Sequence, residues 1–314
     1  MPCYSPIRAV LSCSSGGGRS ISFNRSTPGQ GVSLPCGSCF GCKLERARQW
    51  AVRVVHESKM HDENSFITLT YDEQHLPAGR CSCVRPHSAG SVCVDDFQKF
   101  LKRLRERLSP RRIRFFACGE YGEKLGRPHY HAILFGWFPQ DAVCVKRSGD
   151  MSLFTSSLLS SAWGLGHTSV GLVSMDSASY VANYASKQVK TNREDEACRL
   201  AGRSREFLIM SRRPGIGRRW IDTYEDDVFP SDEVIVRGRS TRPPRYYDTV
   251  VGERRPLLLA GVKIRREKSA AALEDFMLAS GSVVQVAPGN NARRLAVREK
   301  VARAKAALKS RTLE

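Results

Sequence analysis

The order in which strand-like and helix-like segments follow one another between residues 66 and 173 constrains the fold of this chain more than any other feature. Segments of β-branched and aromatic residues predict strands, and segments with apolar residues every three or four positions predict helices. The predicted strands are 66–71, 113–118, 129–135 and 167–173, and the predicted helices are 95–108, 155–163 and 176–190. Asp95 or Asp96 is expected to cap the first of these helices. The chain therefore follows a β-α-β-β-α-β order with one more helix after it.

That order is typical of the ferredoxin-like or RRM-like split βαβ arrangement, which places helices on one side of an antiparallel sheet. We therefore predict an α+β fold with its core over residues 61–190. Residues 1–60 are predicted to form a cysteine-rich N-terminal module with a helix over 44–60. Residues 191–250 form a basic extension, and 251–314 a basic tail that is helical or disordered. Many unrelated functions share such a fold, so the function must be argued from side chains.

The charge balance points to a polyanionic partner. The chain has 50 Lys and Arg against 31 Asp and Glu, a net charge of +19. Such an excess favours nucleic acid over a neutral partner. No apolar segment is long enough to span a membrane, and the first eleven residues lack the pattern of a secretory signal. The expected partner is therefore nucleic acid, and no membrane partner is expected.

His129-Tyr130-His131 lies at the start of a predicted strand. Side chains alternate between the two faces of a strand, so both imidazoles are expected on one face with Tyr130 on the other. Two neutral imidazoles on one face can bind a divalent metal. Taken alone, the pair is more often two ordinary histidines, and a metal site needs further ligands.

Tyr180, Tyr184 and Lys187 have the i, i+4, i+7 spacing that puts three side chains on one helix face. In isolation, two tyrosines packed between helix and sheet would explain this pattern. A phenol with a pKa of about 10 attacks phosphodiesters poorly at neutral pH. A divalent cation can polarise the phosphate, and a lysine can neutralise its charge. Together with the histidine pair, this face predicts cleavage and rejoining of single-stranded DNA through a phosphotyrosine.

The chain resembles the HUH endonucleases, and most closely the replication-initiation proteins of microvirus bacteriophages of the gokushovirus-like branch. The resemblance covers roughly residues 1–250. The segments that carry it are 35–42 (PCGSCFGC), 66–72 (FITLTYD), 97–105 (FQKFLKRLR), 119–122 (GEYG), 129–131 (HYH), 180–187 (YVANYASK), 210–217 (MSRRPGIG) and 243–247 (PPRYY).

This resemblance implies a role for each matching residue. His129 and His131 would bind Mg²⁺ or Mn²⁺, with Glu120 as third ligand and Glu123 as the alternative. Tyr180 and Tyr184 would be the nucleophiles, and Lys187 their phosphate partner; the sequence leaves open which tyrosine nicks first. The basic residues expected to contact DNA are Arg127, Lys102, Arg103, Arg105, Arg212 and Arg213.

The activity implied is rolling-circle replication inside the cytoplasm of a bacterial host. A nick at the origin would leave a 5′-phosphotyrosine and a free 3′-OH for a polymerase. No Gly-x-x-x-x-Gly-Lys-Ser/Thr segment is present, so no phosphate-binding loop of a fused helicase is predicted. A host helicase and a host polymerase are therefore the expected partners.

Cys36, Cys39 and Cys42 form a second candidate metal site. Their Cys-x₂-Cys-x₂-Cys spacing suits tetrahedral thiolate coordination, with Cys3 or Cys13 as the fourth ligand. Zinc is the preferred metal, and free reduced thiols are the alternative. An iron–sulfur cluster is less favoured because the usual Cys-x₃-Cys-Pro continuation is missing. A further site, formed by Cys81, Cys83, His87 and Cys93, is a weaker hypothesis.

One competing function belongs to a different class. A cysteine-stapled, RRM-like protein could bind single-stranded nucleic acid without chemistry, stacking bases on strand aromatics such as Phe115 and Phe116. The tyrosines and lysine on one helix face disfavour this alternative, because a pure binder would not need them.

Overall fold

The computed structural model describes residues 3–13, 19–24, 26–76, 90–122, 126–148, 151–187, 203–279 and 288–310. The chain divides into two compact units. One consists of residues 1–46 together with 264–314, and the other of residues 47–263. The division into four segments expected from the sequence stays a prediction.

The strands are β1 (Ile7–Cys13), β2 (Arg19–Ser22), β3 (Gln30–Leu34), β4 (Asn64–Thr70), β5 (Arg114–Tyr121), β6 (Pro128–Phe135), β7 (Val143–Ser148), β8 (Met151–Thr155), β9 (Thr168–Gly171), β10 (Phe207–Met210), β11 (Val234–Val236) and β12 (Arg239–Thr241). The helices are α1 (Phe40–Ser58), α2 (Val94–Arg107), α3 (Ser157–Trp163), α4 (Met175–Lys187), α5 (Arg218–Thr223), α6 (Glu225–Val228), α7 (Arg245–Arg254), α8 (Pro256–Ala279) and α9 (Pro288–Ser310).

The larger unit is built on a seven-stranded antiparallel sheet with the order β10-β5-β6-β4-β9-β8-β7. The four strands predicted from the sequence are its central strands, β5-β6-β4-β9. The prediction of an α+β fold with an antiparallel sheet is confirmed.

Both faces of this sheet are covered, whereas helices were expected on one side only. Helices α2 and α3 pack on the face that carries Tyr130 and Leu134. Helices α1 and α4 pack on the opposite face, where Ile133 and Phe135 are buried with Ala178. The reason lies in β6, which is apolar on both faces, because a strand of this composition must be buried on both sides.

Two parts of the sheet have no counterpart in the predicted elements. The β7–β8 hairpin extends one edge, and β10 pairs with β5 at the other edge. The β7 strand carries exposed Lys146 and Arg147, so it lacks the apolar alternation of a buried strand. The β10 strand has only four residues, which is too short for a periodic signal.

Helix ends follow their local chemistry, with one correction. Helix α3 starts after Ser156, whose hydroxyl accepts the Leu159 N–H at 3.1 Å, and ends at Gly164 in the left-handed conformation. Helix α2, however, has Cys93 rather than Asp95 or Asp96 at its N-cap position, and this helix start has no side-chain cap hydrogen bond. The two aspartates lie in its first turn, where they face the positive end of the helix dipole.

A further apolar core forms where the sequence pattern is weak. Helices α5 to α7 and the start of α8 bury a cluster around Ile221, Phe229, Tyr247 and Val262. Pro230, Pro243, Pro244 and Pro256 divide the sequence of this region into short segments, and helices of four to ten residues give little helical periodicity. Among the helices of the described residues, none is long and apolar enough to cross a membrane.

The smaller unit contains a three-stranded antiparallel sheet, β2-β1-β3, together with the first turns of α1. The Phe40 N–H at the start of α1 donates to Glu299 Oε1 of α9 at 3.4 Å. The Arg303 guanidinium lies 4.9 Å from the centre of the Phe40 ring.

Candidate functional site

Strands β5 and β6 bring three metal-ligand side chains together. In the antiparallel register, Glu120 stands directly opposite His129. The Nε2 atoms of His129 and His131 lie 2.8 Å and 2.9 Å from Glu120 Oε1. Glu120 is 1% exposed, so its carboxylate is shielded from bulk water.

Hydrogen bonds on the far side of each ring hold both imidazoles in place. His129 Nδ1 donates to the Arg127 carbonyl oxygen at 3.1 Å. His131 Nδ1 lies 3.0 Å from the Thr68 hydroxyl, its register partner on β4. Phe66 stacks on the His131 ring at 5.7 Å and 6°. These contacts aim both Nε2 atoms at Glu120.

The carboxylate of the cluster is ionised. Burial alone would raise the pKa of Glu120, but the hydrogen bonds from His129 and His131 outweigh burial and lower it to about 2. Burial also opposes the charged form of His129, yet the bonds to Glu120 and to the Arg127 carbonyl raise its pKa overall. Burial lowers the pKa of His131.

The donor set fits a divalent cation. Glu120 Oε2 is buried and has no hydrogen-bond partner among the described residues. The other carboxylate oxygen, Oε1, by contrast contacts both imidazoles. A buried carboxylate oxygen without a hydrogen-bond partner calls for an explanation, and a bound cation would provide one. Two imidazole nitrogens and a carboxylate, all within 4.8 Å of one another, are donors that transition metals and Mn²⁺ accept.

Tyr180 reaches this cluster from helix α4. Its hydroxyl donates to Glu120 Oε1 at 3.1 Å and lies 3.4 Å from His131 Nε2. Ala178 and Val181 anchor the helix in the core beneath the sheet. The Tyr180 side chain is 38% exposed, so its phenol lies beside the candidate metal ligands while part of the side chain is open to solvent.

The remaining predicted residues of the helix face are only partly described. Tyr184 and Lys187 belong to α4, one and two turns beyond Tyr180, but their side chains lie outside the described residues. Glu123, the alternative third ligand, also lies outside the described residues. The described geometry brings Glu120, His129, His131 and Tyr180 together.

A groove of about 620 Å³ opens beside His129. Arg127 lines it, donating through Nη2 to the Tyr71 carbonyl at 2.9 Å and pairing with Glu73. Its other lining residues are Thr70, Asp72, Gln74, Pro128 and His167. Its lining carries charges of both signs, with Arg127 beside Asp72 and Glu73.

The basic residues expected to contact DNA fall in different places. Arg127 borders the groove, and Arg212 and Arg213 are exposed after β10. Lys102, Arg103 and Arg105 belong to α2, which packs on the sheet face opposite the histidines.

Arg103 has a structural task on that opposite face. It donates to the Ala162 and Trp163 carbonyls at 2.7 Å and 2.8 Å. Those carbonyls belong to the last turn of α3, where helical partners run out. The bonds of Arg103 therefore stabilise the end of α3.

Four thiols converge in the smaller unit. Cys3, Cys36, Cys39 and Cys42 have their Sγ atoms within 4.8 Å of one another. The side chain of Cys13, the other candidate fourth ligand, lies outside the described residues, as do Cys81, Cys83 and His87. Cys93 is buried at the start of α2.

The non-catalytic alternative assumed that strand aromatics such as Phe115 and Phe116 could stack bases, but both rings are engaged in packing. Phe116 is fully buried between the sheet and α1, and Phe115 packs against Phe97 of the opposite core. Neither ring lies on an open sheet face where a base could stack.

Sequence reasoning missed two residues that shape the site, Thr68 and Phe66. Both lie on β4 and contact His131. Their alternation with buried Ile67 and Leu69 placed them on one face of the strand. The register that puts β4 beside β6 could not be read from the sequence.

Comparison with known proteins gives a consistent set of relatives. Residues 64–189 match the family model described as replication-associated protein ORF2/G2P. The chain is 35% identical over 225 residues to replication-associated protein VP4 of Bdellovibrio phage phiMH2K, covering 68% of this chain and 66% of that protein. No solved structure matches the chain.

Two further relatives are similar over the same length. Replication-associated protein ORF2 of Spiroplasma virus 4 is 32% identical over 226 residues, covering 69% of this chain and 67% of that protein. Replication-associated protein ORF4 of Chlamydia phage 1 is 28% identical over 223 residues, covering 68% of this chain and 52% of that protein. The match thus spans about two thirds of the first two relatives and about half of the third.

Proposed function

The chain belongs to the replication-associated proteins of microvirus-type bacteriophages, and on that premise we propose that it nicks and rejoins single-stranded origin DNA during rolling-circle replication. One observation carries this proposal. The Tyr180 phenol lies 3.1 Å from Glu120 Oε1, the atom on which both histidines converge. A nucleophile beside a cation site is the arrangement that tyrosine attack on a phosphodiester requires.

The strand order supports an HUH endonuclease domain. The sequence β9-β4-β6-β5 is the order expected of a ferredoxin-like split βαβ arrangement, with His129 and His131 on a central strand. In this proposal the sheet is the rigid support of the ligands, and α4 is the support of the nucleophile. Placing reactive groups on regular elements keeps their geometry fixed.

His129, His131 and Glu120 would hold the cation, Mg²⁺ or Mn²⁺. When bound, it would polarise the scissile phosphate and offset its negative charge. The Thr68 hydroxyl and the Arg127 carbonyl would keep the imidazoles oriented for this task. Such outer contacts fix the tautomer and direction of ligating histidines.

Tyr180 would act as a nucleophile. Its phenol gives up a proton, its oxygen forms a bond to phosphorus, and the bond from phosphorus to the 3′ oxygen breaks. The 3′ oxygen takes up a proton and leaves as the free 3′-OH, while the 5′ phosphate stays on the tyrosine. Rejoining is the reverse reaction, in which a 3′-OH attacks the phosphotyrosine.

Tyr184 and Lys187 would complete the reaction cycle. A second tyrosine one helical turn away allows a second transesterification before the first DNA end is released. An ammonium group one turn further on would neutralise phosphate charge in the transition state. The order in which the two tyrosines act is left open.

The DNA and the host proteins are the proposed partners. Arg127 at the groove, with Arg212 and Arg213, would bind phosphates of the single strand, and the exposed Lys102 and Arg105 would add to the basic surface. Arg103, also expected from the sequence to contact DNA, is engaged at the end of α3 instead. The free 3′-OH would be extended by a host polymerase, with a host helicase opening the duplex. The reaction would take place in the cytoplasm of the bacterial host.

A covalent-adduct assay tests the proposal. The full chain is incubated with Mn²⁺ and single-stranded oligonucleotides that tile the phage genome encoding it, and the products are separated on a denaturing gel. We expect one oligonucleotide to yield a protein–DNA adduct, and we expect chelation by EDTA to prevent it. No adduct on any oligonucleotide would overturn the proposal.

Variants assign the roles. The double substitution Tyr180→Phe, Tyr184→Phe should abolish the adduct, and His129→Ala and Glu120→Gln should reduce cleavage by at least about a hundredfold. Tyr224→Phe is the matched control, because Tyr224 is a similarly exposed tyrosine outside the cluster. An adduct that survives the double substitution would refute the nucleophile assignment, and full cleavage by His129→Ala would refute the metal assignment.

A further inference from the structure

The N-terminal sheet, defined as β1, β2 and β3, is stabilised by very few buried apolar side chains. Among the described residues of 3–46, Tyr4 and Ala9 are the buried apolar side chains, and none joins a hydrophobic core cluster. Larger apolar side chains point outward, with Ile21 51% and Phe23 65% exposed. A small sheet without a core needs a covalent or metal crosslink to persist.

The chain path brings four thiols to one end of this sheet. Strands β1 and β3 pair antiparallel with Ile7 opposite Leu34, so the residues before β1 and after β3 leave the ladder at the same end. Cys3 precedes β1 and Cys36 follows β3. Cys39 directly precedes α1, and Cys42 lies in its first turn.

The spacing of the sulfurs matches a single tetrahedral ion. Four sulfurs bound at about 2.3 Å to zinc lie about 3.8 Å from one another. The Cys3 sulfur lies 3.6 Å from that of Cys36 and 3.8 Å from that of Cys39. A disulfide would require about 2.0 Å, so these thiols are gathered without being paired.

Three backbone N–H groups donate hydrogen bonds to the cysteine sulfurs. The Tyr4 N–H donates to Cys39 Sγ at 3.3 Å, and the Cys36 N–H donates to Cys3 Sγ at 3.3 Å. The Cys39 N–H donates to Cys36 Sγ at 3.2 Å, across a turn in which Gly37 has a φ of 76°. Such donors offset the negative charge of thiolates and fix the direction of each ligand.

We propose that Cys3, Cys36, Cys39 and Cys42 bind one structural Zn²⁺, which joins the N-terminal sheet to the start of α1. Four thiolates fill the tetrahedral shell, so the site is closed and has no position for a substrate. The proposal goes beyond the nicking reaction and does not depend on it. It also selects Cys3, rather than Cys13, as the fourth ligand.

Metal content tests the site directly. The full chain is expressed with zinc in the medium, dialysed against EDTA and measured by elemental analysis. We expect one zinc per chain to remain, with Cys3→Ser and Cys39→Ser losing it. Cys13→Ser and Cys144→Ser are matched controls that should keep it, since Cys144 is exposed and outside the cluster. Zinc retained by Cys3→Ser, or lost from Cys13→Ser, would overturn the ligand set.

Cobalt substitution gives a second readout that survives poor folding of a variant. The wild-type chain loaded with Co²⁺ should develop the visible bands of a tetrahedral site and an ultraviolet thiolate-to-metal charge-transfer band. Octahedral-type weak bands, no bound metal, or a brown iron–sulfur chromophore in the purified protein would each overturn the proposal. The assay does not measure DNA cleavage. Its result can therefore be interpreted even if the nicking proposal fails.

Discussion

At the scale of single residues, Glu120 Oε1 has more hydrogen-bonding neighbours than it has lone pairs. Two imidazole nitrogens and one phenol surround it at 2.8, 2.9 and 3.1 Å, although an oxygen offers two lone pairs. Its sister atom Oε2 is buried without a hydrogen-bond partner among the described residues. A carboxylate with one crowded and one unused oxygen suits a site that also takes up a cation.

The imidazole tautomers also favour a site that takes up a cation. His129 Nδ1 must donate to the Arg127 carbonyl, because a carbonyl oxygen can only accept. In a neutral ring this leaves Nε2 as a bare lone pair facing a carboxylate oxygen. Such a contact is repulsive unless a proton or a cation lies between the two atoms. The raised pKa of His129 favours a proton in this place, between its Nε2 atom and the carboxylate.

Thr68 provides the first test at this scale. We expect Thr68→Val to remove the hydroxyl that orients His131 and to weaken Mn²⁺ binding by about tenfold to a hundredfold, without touching the DNA. The measurement is the Mn²⁺ concentration that gives half-maximal adduct. Thr70→Val is the control on the same strand, because its hydroxyl bonds to the His167 carbonyl instead. Equal Mn²⁺ requirements in the two variants would contradict the role given to Thr68.

At the scale of elements, one buried carboxylate ties three segments of the larger unit together. Glu57 on α1 accepts the Arg114 Nε–H of β5 at 2.6 Å and the Gly217 N–H before α5 at 2.7 Å. Its side chain is 0% exposed. The helix beneath the sheet is therefore fixed to both neighbours through a single charged group.

Glu57 gives stability a defined pH dependence. Burial would raise the pKa of Glu57, but the hydrogen bonds from His61 and Gly217 and the charge of Arg114 lower it overall. Since the folded pKa is below the unfolded value, this group stabilises the fold above the unfolded pKa. That contribution is lost as the pH falls through the folded pKa.

We therefore expect Glu57→Gln to reduce the free energy of unfolding at neutral pH by about 3 kcal/mol, because it leaves Arg114 without its buried partner. The variant should also lose less stability than the wild type on acidification from about pH 6 to pH 3. Urea unfolding at several pH values measures both effects. Asp226→Asn is the control at an exposed ion pair with Arg255 and should change little. Parallel acid profiles for wild type and Glu57→Gln would contradict the assignment.

At the scale of the whole molecule, the net charge of +19 favours a nucleic-acid partner but does not place it. Part of the cationic surface is already engaged within the fold, as with Arg103 at the end of α3 and Arg114 at Glu57. Arg212 and Arg213 are exposed after β10, the edge strand next to the strand of Glu120. They follow the end of β10 that is distant from Glu120, because Phe207 stands opposite Gly119 and Met210 opposite Phe116. A single DNA strand would therefore meet both Tyr180 and these arginines only by running along this edge of the sheet.

Salt dependence of binding measures such contacts. We expect Arg212→Ala and Arg213→Ala each to flatten the slope of log affinity against log salt for single-stranded DNA by about 0.7, the value for one released counterion. Fluorescence anisotropy between low and physiological salt gives the slope. Arg255→Ala is the control, because that guanidinium is already bonded to Asp226 at 2.6 Å and Glu225 at 3.2 Å. Unchanged slopes for Arg212→Ala and Arg213→Ala would place the DNA elsewhere.

The sequence by itself determined the central strands, the helices α2, α3 and α4, and the shared face of His129 and His131. These follow from local periodicity, which the neighbours of a residue fix without reference to distant parts of the chain. The motifs also sufficed to recognise the family, because they occur together and in a specific order along the chain.

Only the tertiary structure decided what depends on pairing between distant segments. The register of β4 against β6 put Thr68 and Phe66 on His131, and the packing of α4 under the sheet brought Tyr180 to Glu120. The antiparallel pairing of β1 and β3 selected Cys3 as the partner of the later cysteines. Local sequence cannot encode these contacts, because each depends on which of many possible pairings buries the most apolar surface with its polar groups satisfied.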